Sequence, residues 1–303
     1  MRKSKTYILV AVLLVAVIAL AGVAAACGGD EAEESPSPEA TTPAEIAEQI
    51  LGQAPTGIAA EIISAGTVVV ANDANYAPQS SVDQATGELV GFDVDVATKM
   101  AEILGLEVEF KNPAWETIPT GLDQGKYDVS IGSMTSAIDG DRAANETLVS
   151  RWETMDFTEP YYYTSGQVFV KTGGMQITGP DDLAGKKVGV GAATTYYSWL
   201  KDNTTADVKT YTTDADTFPD LRNGNLDFVM TAGPTGQQAI SQGQPFDFSG
   251  APLYYEDLSF AVKKGEGDWV ALLNYTVNMM HEDGSLTAMS EKWYNGLDLT
   301  VQE

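Results

Sequence analysis

The residues best equipped for chemistry cluster in one stretch, Ser133–Gly166, which reads SMTSAIDGDRAANETLVSRWETMDFTEPYYYTSG. Small hydroxyl residues Ser133 and Thr135 flank Met134 just past an apolar run, Arg142 and Arg151 follow, and Tyr161, Tyr162 and Tyr163 close it. An arginine set among hydroxyls and free backbone N–H groups is a receptor for a carboxylate, because the planar guanidinium matches its two oxygens. A second candidate is Gly191-Ala-Ala-Thr194-Thr195. Here a short apolar run breaks directly into a helix, so backbone N–H groups and two threonine hydroxyls face an anion. Asp73, Tyr76 and Trp115 complete the set with an acid and two aromatic faces. Binding of a small polar molecule is the chemistry these types perform. Catalysis has little support: one histidine, one cysteine and no nucleophile elbow leave only carboxylates, Lys and Tyr as acid and base. Gly189-Val-Gly191 lacks the third glycine of a dinucleotide loop, and no His/Cys cluster suggests zinc or copper. No cofactor is expected. Asp214, Asp216 and Asp220 read as a solvated helix start, and His281 as a surface or capping residue.

Positioning those residues requires a regular framework. Val68–Ala71 is a β-branched run fit for a buried strand, Val94–Leu106 carries helical periodicity, and Val108–Phe110 and Tyr127–Ile131 return as strands. After the tyrosines the pattern restarts with strands at Gly166–Lys171 and Lys187–Val190, a helix at Tyr196–Lys201, a helix at Ala215–Arg222, and strands at Asp227–Met230 and Ser259–Val262. Two helices around Glu282-Asp283-Gly284 end the chain. Alternating strands and helices define parallel βαβ units, which bind ligands beyond the carboxyl ends of their strands. Asp73, Tyr76, Trp115 and Ser133–Thr135 are expected in loops at those ends.

The amino terminus is of another character. A basic start, an uncharged run from Tyr7 to Ala26 and Ala24-Ala25-Ala26-Cys27 describe an export signal, and resemble a bacterial lipoprotein signal in which Cys27 is lipidated. A membrane span of the same residues is the alternative. Residues 1–26 are read as signal peptide and 27–57 as a disordered acidic tether, since Asp30–Pro43 is rich in Glu, Pro, Ser and Thr. Removing the signal takes the formal charge from −26 to −29, a surface that repels nucleic acid and anionic lipid and favours solubility outside the cytoplasm.

The body of the chain resembles the extracytoplasmic solute-binding proteins that serve polar amino acid ABC importers. The matching pieces are ELVGFDVDVATKMAEILGLEVEF, IPTGLDQGKYDVSIGSMT, MDFTEPYYYTSGQVFV, DDLAGKKVGVGAATT, LRNGNLDFVM and EDGSLTAMSEKWY. The resemblance implies an α/β, two-lobed periplasmic-binding-protein-like fold of type II, with lobe 1 at 58–163 and 259–303, lobe 2 at 166–253 and hinges near 161–165 and 254–258. It implies an amino-acid-like ligand, a membrane permease as partner, a monomer and no enzyme activity. Asp73 and Tyr76 match the first binding loop, Trp115 a second aromatic, and Ser133 to Thr135 the loop for the α-amino group. Thr194 and Thr195 match the pair that grips the carboxylate. Arg151 matches the carboxylate arginine by its distance to Asp156, and Arg142 is the rival across about ten extra residues. Where the family has an aspartate for the ammonium, this chain has Ala232. A dehydratase on the same fold, or an external sensor domain, are the other functions compatible with the resemblance.

Overall fold

The computed structural model describes residues 41–302. The signal peptide expected at 1–26 and the lipidation expected at Cys27 lie outside the described residues.

The described chain starts in helix α1, Pro43–Leu51, set by a capping box in which Thr42 and Glu45 satisfy each other's backbone. Helix α2, Gly57–Ala65, leads into strand β1, Thr67–Ala71. A small antiparallel sheet follows, of β2 (Asn75–Tyr76), β3 (Ser80–Val82) and β4 (Leu89–Val90). Helix α3, Phe92–Leu104, buries Phe92, Val96, Met100 and Leu104 at a spacing of four, the stripe that the apolar periodicity predicts. Then come β5 (Glu107–Lys111), a 3₁₀ turn at Trp115–Thr117, α4 (Ile118–Asp123) and β6 (Val129–Ile138). Helix α5, Glu146–Thr154, runs into β7, Met155–Phe157, and β8, Tyr162–Lys171. The next βαβ units are β9 (Lys187–Gly191), α6 (Thr195–Asn203), β10 (Asp207–Tyr211), α7 (Thr217–Asn223), β11 (Phe228–Ala232) and α8 (Gly233–Ser241). Strands β12 (Phe246–Phe248) and β13 (Tyr254–Lys263) precede α9 (Gly267–Glu282) and α10 (Ser285–Trp293).

The strands order as β10-β9-β11-β8-β13-β6-β1-β5. Outer neighbours are parallel, as βαβ units require, while β8 and β13 pair antiparallel with each other and with the strands beside them. The chain therefore crosses twice between one half, built on β6, β1 and β5, and the other, built on β11, β9 and β10. One apolar cluster centres on Phe92, Met100 and Trp269 in the first half and another on Val188, Phe228 and Met230 in the second, and Ile138, Leu148 and Tyr76 of the first half pack into the latter.

Two departures from the sequence reading matter. Residues 43–51, placed in a disordered tether, form α1, whose Ala47 is fully buried in the first cluster against α9. The acidic, Pro-rich composition ends at Pro43, and the Ile46/Ile50 stripe that follows carries enough apolar surface to dock. Strand β6 runs ten residues through Ser133–Thr135, so these are not loop residues. The strand kinks there: Ser133 has φ 56°, and the pairing with β13 skips between Ser259 and Ala261. A bulge of this kind re-aims side chains at a cost of order 1–2 kcal/mol for a non-glycine residue in the left-handed region. It is held by Asp93 in the first turn of α3, which accepts from the Ser133 hydroxyl at 2.7 Å and the Tyr161 hydroxyl at 2.6 Å, and by Tyr162, which donates to Ser133 Oγ at 2.6 Å.

Because Ala47 is sealed between helices, Ala47→Asp should destabilise the fold by about 1–3 kcal/mol, the cost of an unpaired buried polar group. A thermal denaturation midpoint unchanged by Ala47→Asp would show that α1 is not part of the folded body.

Candidate functional site: a cavity between the two halves

A cavity enclosing about 480 Å³ of space, including solvent at its mouth, lies between the halves. The first half contributes Asp73 and Tyr76 from the end of β1 and β2, Trp115 after β5, Ser133 and Thr135 from β6, and Arg151 from α5. The second contributes Thr194, Thr195 and Tyr196 at the start of α6 and Thr212 to Asp214 after β10. These are carboxyl ends of parallel strands and a helix start, the places where α/β sheets leave backbone polar groups for a ligand.

Arg151 is buried, its Nη1 donates to the Thr135 carbonyl at 2.9 Å, and its guanidinium lies 5.4 Å from the Trp115 ring centre. Burial pulls its pKa down to about 10, against the opposing field of Glu256. With five N–H groups and one hydrogen bond among the described residues, the fork retains donors for a carboxylate. Arg142 does not reach the cavity. It is exposed and stacks 4.4 Å from the Trp152 ring centre, because the extra residues after β6 form a turn and helix α5, which turns Arg151 inward.

Across the cavity Thr194 caps α6, accepting from Tyr197 N at 3.2 Å and donating to the Gly191 carbonyl at 2.8 Å. The Thr195 hydroxyl donates to Glu256 Oε1 at 2.9 Å, as does that of Thr135, and Tyr196 Oη donates to Glu256 Oε2 at 2.7 Å. Glu256, in mid β13, is fully buried. Burial raises its pKa, and the three hydroxyls and Arg151 pull the other way. The halves touch directly where Trp115 Nε1 donates to the Ala193 carbonyl at 3.2 Å, Tyr76 Oη meets Tyr196 Oη at 3.3 Å, and Thr147 Oγ1 meets Ser198 Oγ at 2.6 Å.

Asp73, Tyr76, Trp115, Ser133, Thr135, Arg151, Thr194 and Thr195 thus come together, while three other positions do not. Met134 points to the opposite face of β6 and packs with Ile118, Leu122 and Phe157. Ala232 is fully buried at the end of β11 in the apolar cluster with Met230 and Tyr254. Arg142 is the third. Sequence reasoning missed Tyr196, Glu256 and Asp214. Asp214, read as part of a solvated helix start, is buried and lines the cavity, with Oδ1 accepting from Gly191 N at 3.0 Å and Oδ2 from Thr231 Oγ1 at 2.7 Å. Asp207–Tyr211 is a strand, so Asp214 follows a strand end as Asp73 does, but that strand carries no apolar run to announce it. The acid pair Glu256-Asp257 inside the otherwise mostly apolar strand YYEDLSFAVK was the signal for Glu256.

A framework of two α/β halves joined by crossing strands, with a guanidinium, a helix start and buried acids around a cavity between them, defines a binding protein for a small zwitterionic or polar molecule. The chain belongs to the bacterial extracellular solute-binding proteins, family 3, whose model matches residues 68–296. It is similar to the L-cystine-binding protein TcyJ of Escherichia coli (strain K12), with 32% identity over 247 residues, covering 80% of this chain and 88% of the relative. It is also similar to the ABC transporter arginine-binding protein 1 of the same organism, at 28% identity over 73% of this chain and 88% of that one. Among solved structures, an ancestral arginine-binding protein bound to arginine matches with a TM-score of 0.67 and 31% identity, over 76% of this chain and 98% of that one. The fold is accordingly the type II periplasmic-binding-protein-like fold. Among the described residues no helix is long and apolar enough to cross a membrane.

Burial drives Asp93 up to about 7 and Asp214 up to about 6. A carboxyl whose folded pKa is raised takes up protons on folding between its ordinary pKa and the raised one. Stability of the ligand-free protein should therefore fall as pH rises from about 4 to 7, by on the order of a few kcal/mol summed over these groups. Thermal denaturation across that range checks it, and Asp93→Asn should flatten the slope; stability rising over this window would refute the assignment.

Proposed function

We propose that this protein captures an amino acid between its two halves and presents the closed form to the permease of an ABC importer, acting as a binder and not as an enzyme. The observation that carries this is the cavity itself. One wall offers a buried guanidinium, the facing wall offers a helix start, acids sit on both sides, and hydroxyls from both halves meet on Glu256. A carboxylate and an ammonium on one small molecule satisfy such an arrangement together. The relatives named for L-cystine and for arginine support the amino acid class. The lobes we assign are 58–163 with 259–303, now extended by α1, and 166–253, moving about crossings near 161–165 and 254–258. The chain is read as a monomer, held outside the cytoplasm by lipid on Cys27 after removal of 1–26, on the strength of its lipoprotein-like signal.

Charge-assisted bonds of about 1.5–3 kcal/mol each, plus aromatic contact, suffice for micromolar affinity near −8 kcal/mol. In a thermal-shift screen of the Cys27→Ser chain against the common amino acids, at least one should raise the midpoint, and Arg151→Ala should weaken that ligand by about 10- to 100-fold. No stabilising amino acid would sink the proposal; full affinity in Arg151→Ala would remove the arginine from it.

A further inference from the structure

Asp214 is a carboxylate with only 6% of its surface exposed, and none of the ion pairs among the described residues includes it. Its two oxygens are fixed by Gly191 N and Thr231 Oγ1, and Gly191 has no side chain because a Cβ there would strike Asp214 Oδ1. The acid is thus built into the wall with its cation missing from the protein. A buried carboxylate without a counter-charge is costly, and a group so held is retained where a ligand brings the charge. Asp73 faces the same cavity from the other half, and it too belongs to no ion pair. Its carboxylate bonds only the amide groups of Asn75.

Among the side chains lining the cavity are one base, Arg151, and two carboxylic acids, Asp73 and Asp214. A neutral zwitterion would satisfy Arg151 and one acid and leave the other uncompensated in a desolvated space. Ala232 sits outside the cavity wall and supplies no charge. Resting on the amino acid reading above, we infer that the ligand is an amino acid of net positive charge. Its carboxylate lies between Arg151 and the start of α6, its α-ammonium is received by Asp214, and its side-chain cation by Asp73. Asp214 takes the α-ammonium because it stands on the same half as the α6 start that meets the adjoining carboxylate. The faces of Tyr76 and Trp115 border the side chain, and aromatic faces favour cations.

Isothermal titration of the full chain carrying Cys27→Ser tests this with L-arginine, L-lysine and L-ornithine against the uncharged L-citrulline and L-glutamine, and against L-cystine. At least one of the cationic ligands should bind tenfold or more tighter than every uncharged one. Asp73→Asn should shrink the arginine-to-citrulline ratio at least fivefold, whereas Asp214→Asn should weaken both ligands tenfold or more and leave that ratio nearly unchanged. Citrulline, glutamine or cystine binding as tightly as the best cationic ligand would overturn the inference while leaving the amino acid reading intact. Failure of every amino acid to bind would overturn both. The selectivity of the unsubstituted site decides the matter even if a variant fails to fold.

Discussion

Glu256 is the group on which the closed arrangement depends. It lies in the middle of β13, one of the two strands that pass between the halves, and it is fully buried. A carboxylate in that position has to be solvated by the protein, and the donors come from both sides: Thr135 from β6, and Thr195 and Tyr196 from α6. Each hydroxyl given to Glu256 draws one half toward the crossing, so the acid acts as a common acceptor for both, beside the apolar contact that Ile138, Leu148 and Tyr76 make with the second half. Arg151 is drawn into the same field without an ion pair to Glu256, and this leaves its donors facing the cavity. Replacing the acid by an apolar residue would remove a desolvation cost and also one of the ties between the halves.

The same economy appears behind the first wall. Ser133 occupies a backbone conformation that serine seldom adopts, and the strain is offset by a network from Asp93, Tyr161 and Tyr162, all fully buried. Two of the three tyrosines that close the Ser133–Gly166 stretch are therefore structural supports of the binding wall. Their rings pack on Phe92, which ties the wall to the first turn of α3. Helix α3 can approach so closely only because Gly91, at φ 145°, admits the backbone of Gln79 where a side chain would stand.

Much of this fold is written as local periodicity, and that part was legible. The stripe of α3, the β-branched β1 and the pair α9 and α10 are where the pattern puts them. The pieces that escaped have physical reasons. Strand β10 reads DVKTY at the sheet edge, half exposed, and offers no apolar run. Strand β6 contains SMTS, which reads as a break, yet it is buried along its whole length, with β1 paired at its start and β13 along most of its other edge. Helix α5 is polar on most of its surface and earns its place through Leu148 and Arg151. Of the site, residues at recognisable strand ends or at a helix start were found, Asp73 and Thr194 among them. Asp214 was lost with the unrecognised strand before it, and Met134 was included because Ser133–Thr135 reads as a loop, whereas in a strand it points away from both neighbours.

Helix α1 has a mechanical meaning. It fastens the start of the folded chain to α9, entirely on the half that holds β5, β1 and β6. Any pull transmitted through the residues before Thr41 is delivered to that half alone, and the half carrying Asp214 and α6 hangs from it by two strands. Force applied at Thr41 therefore enters the protein through the half that holds β1, β5 and β6, and reaches Asp214 and α6 only by way of that half.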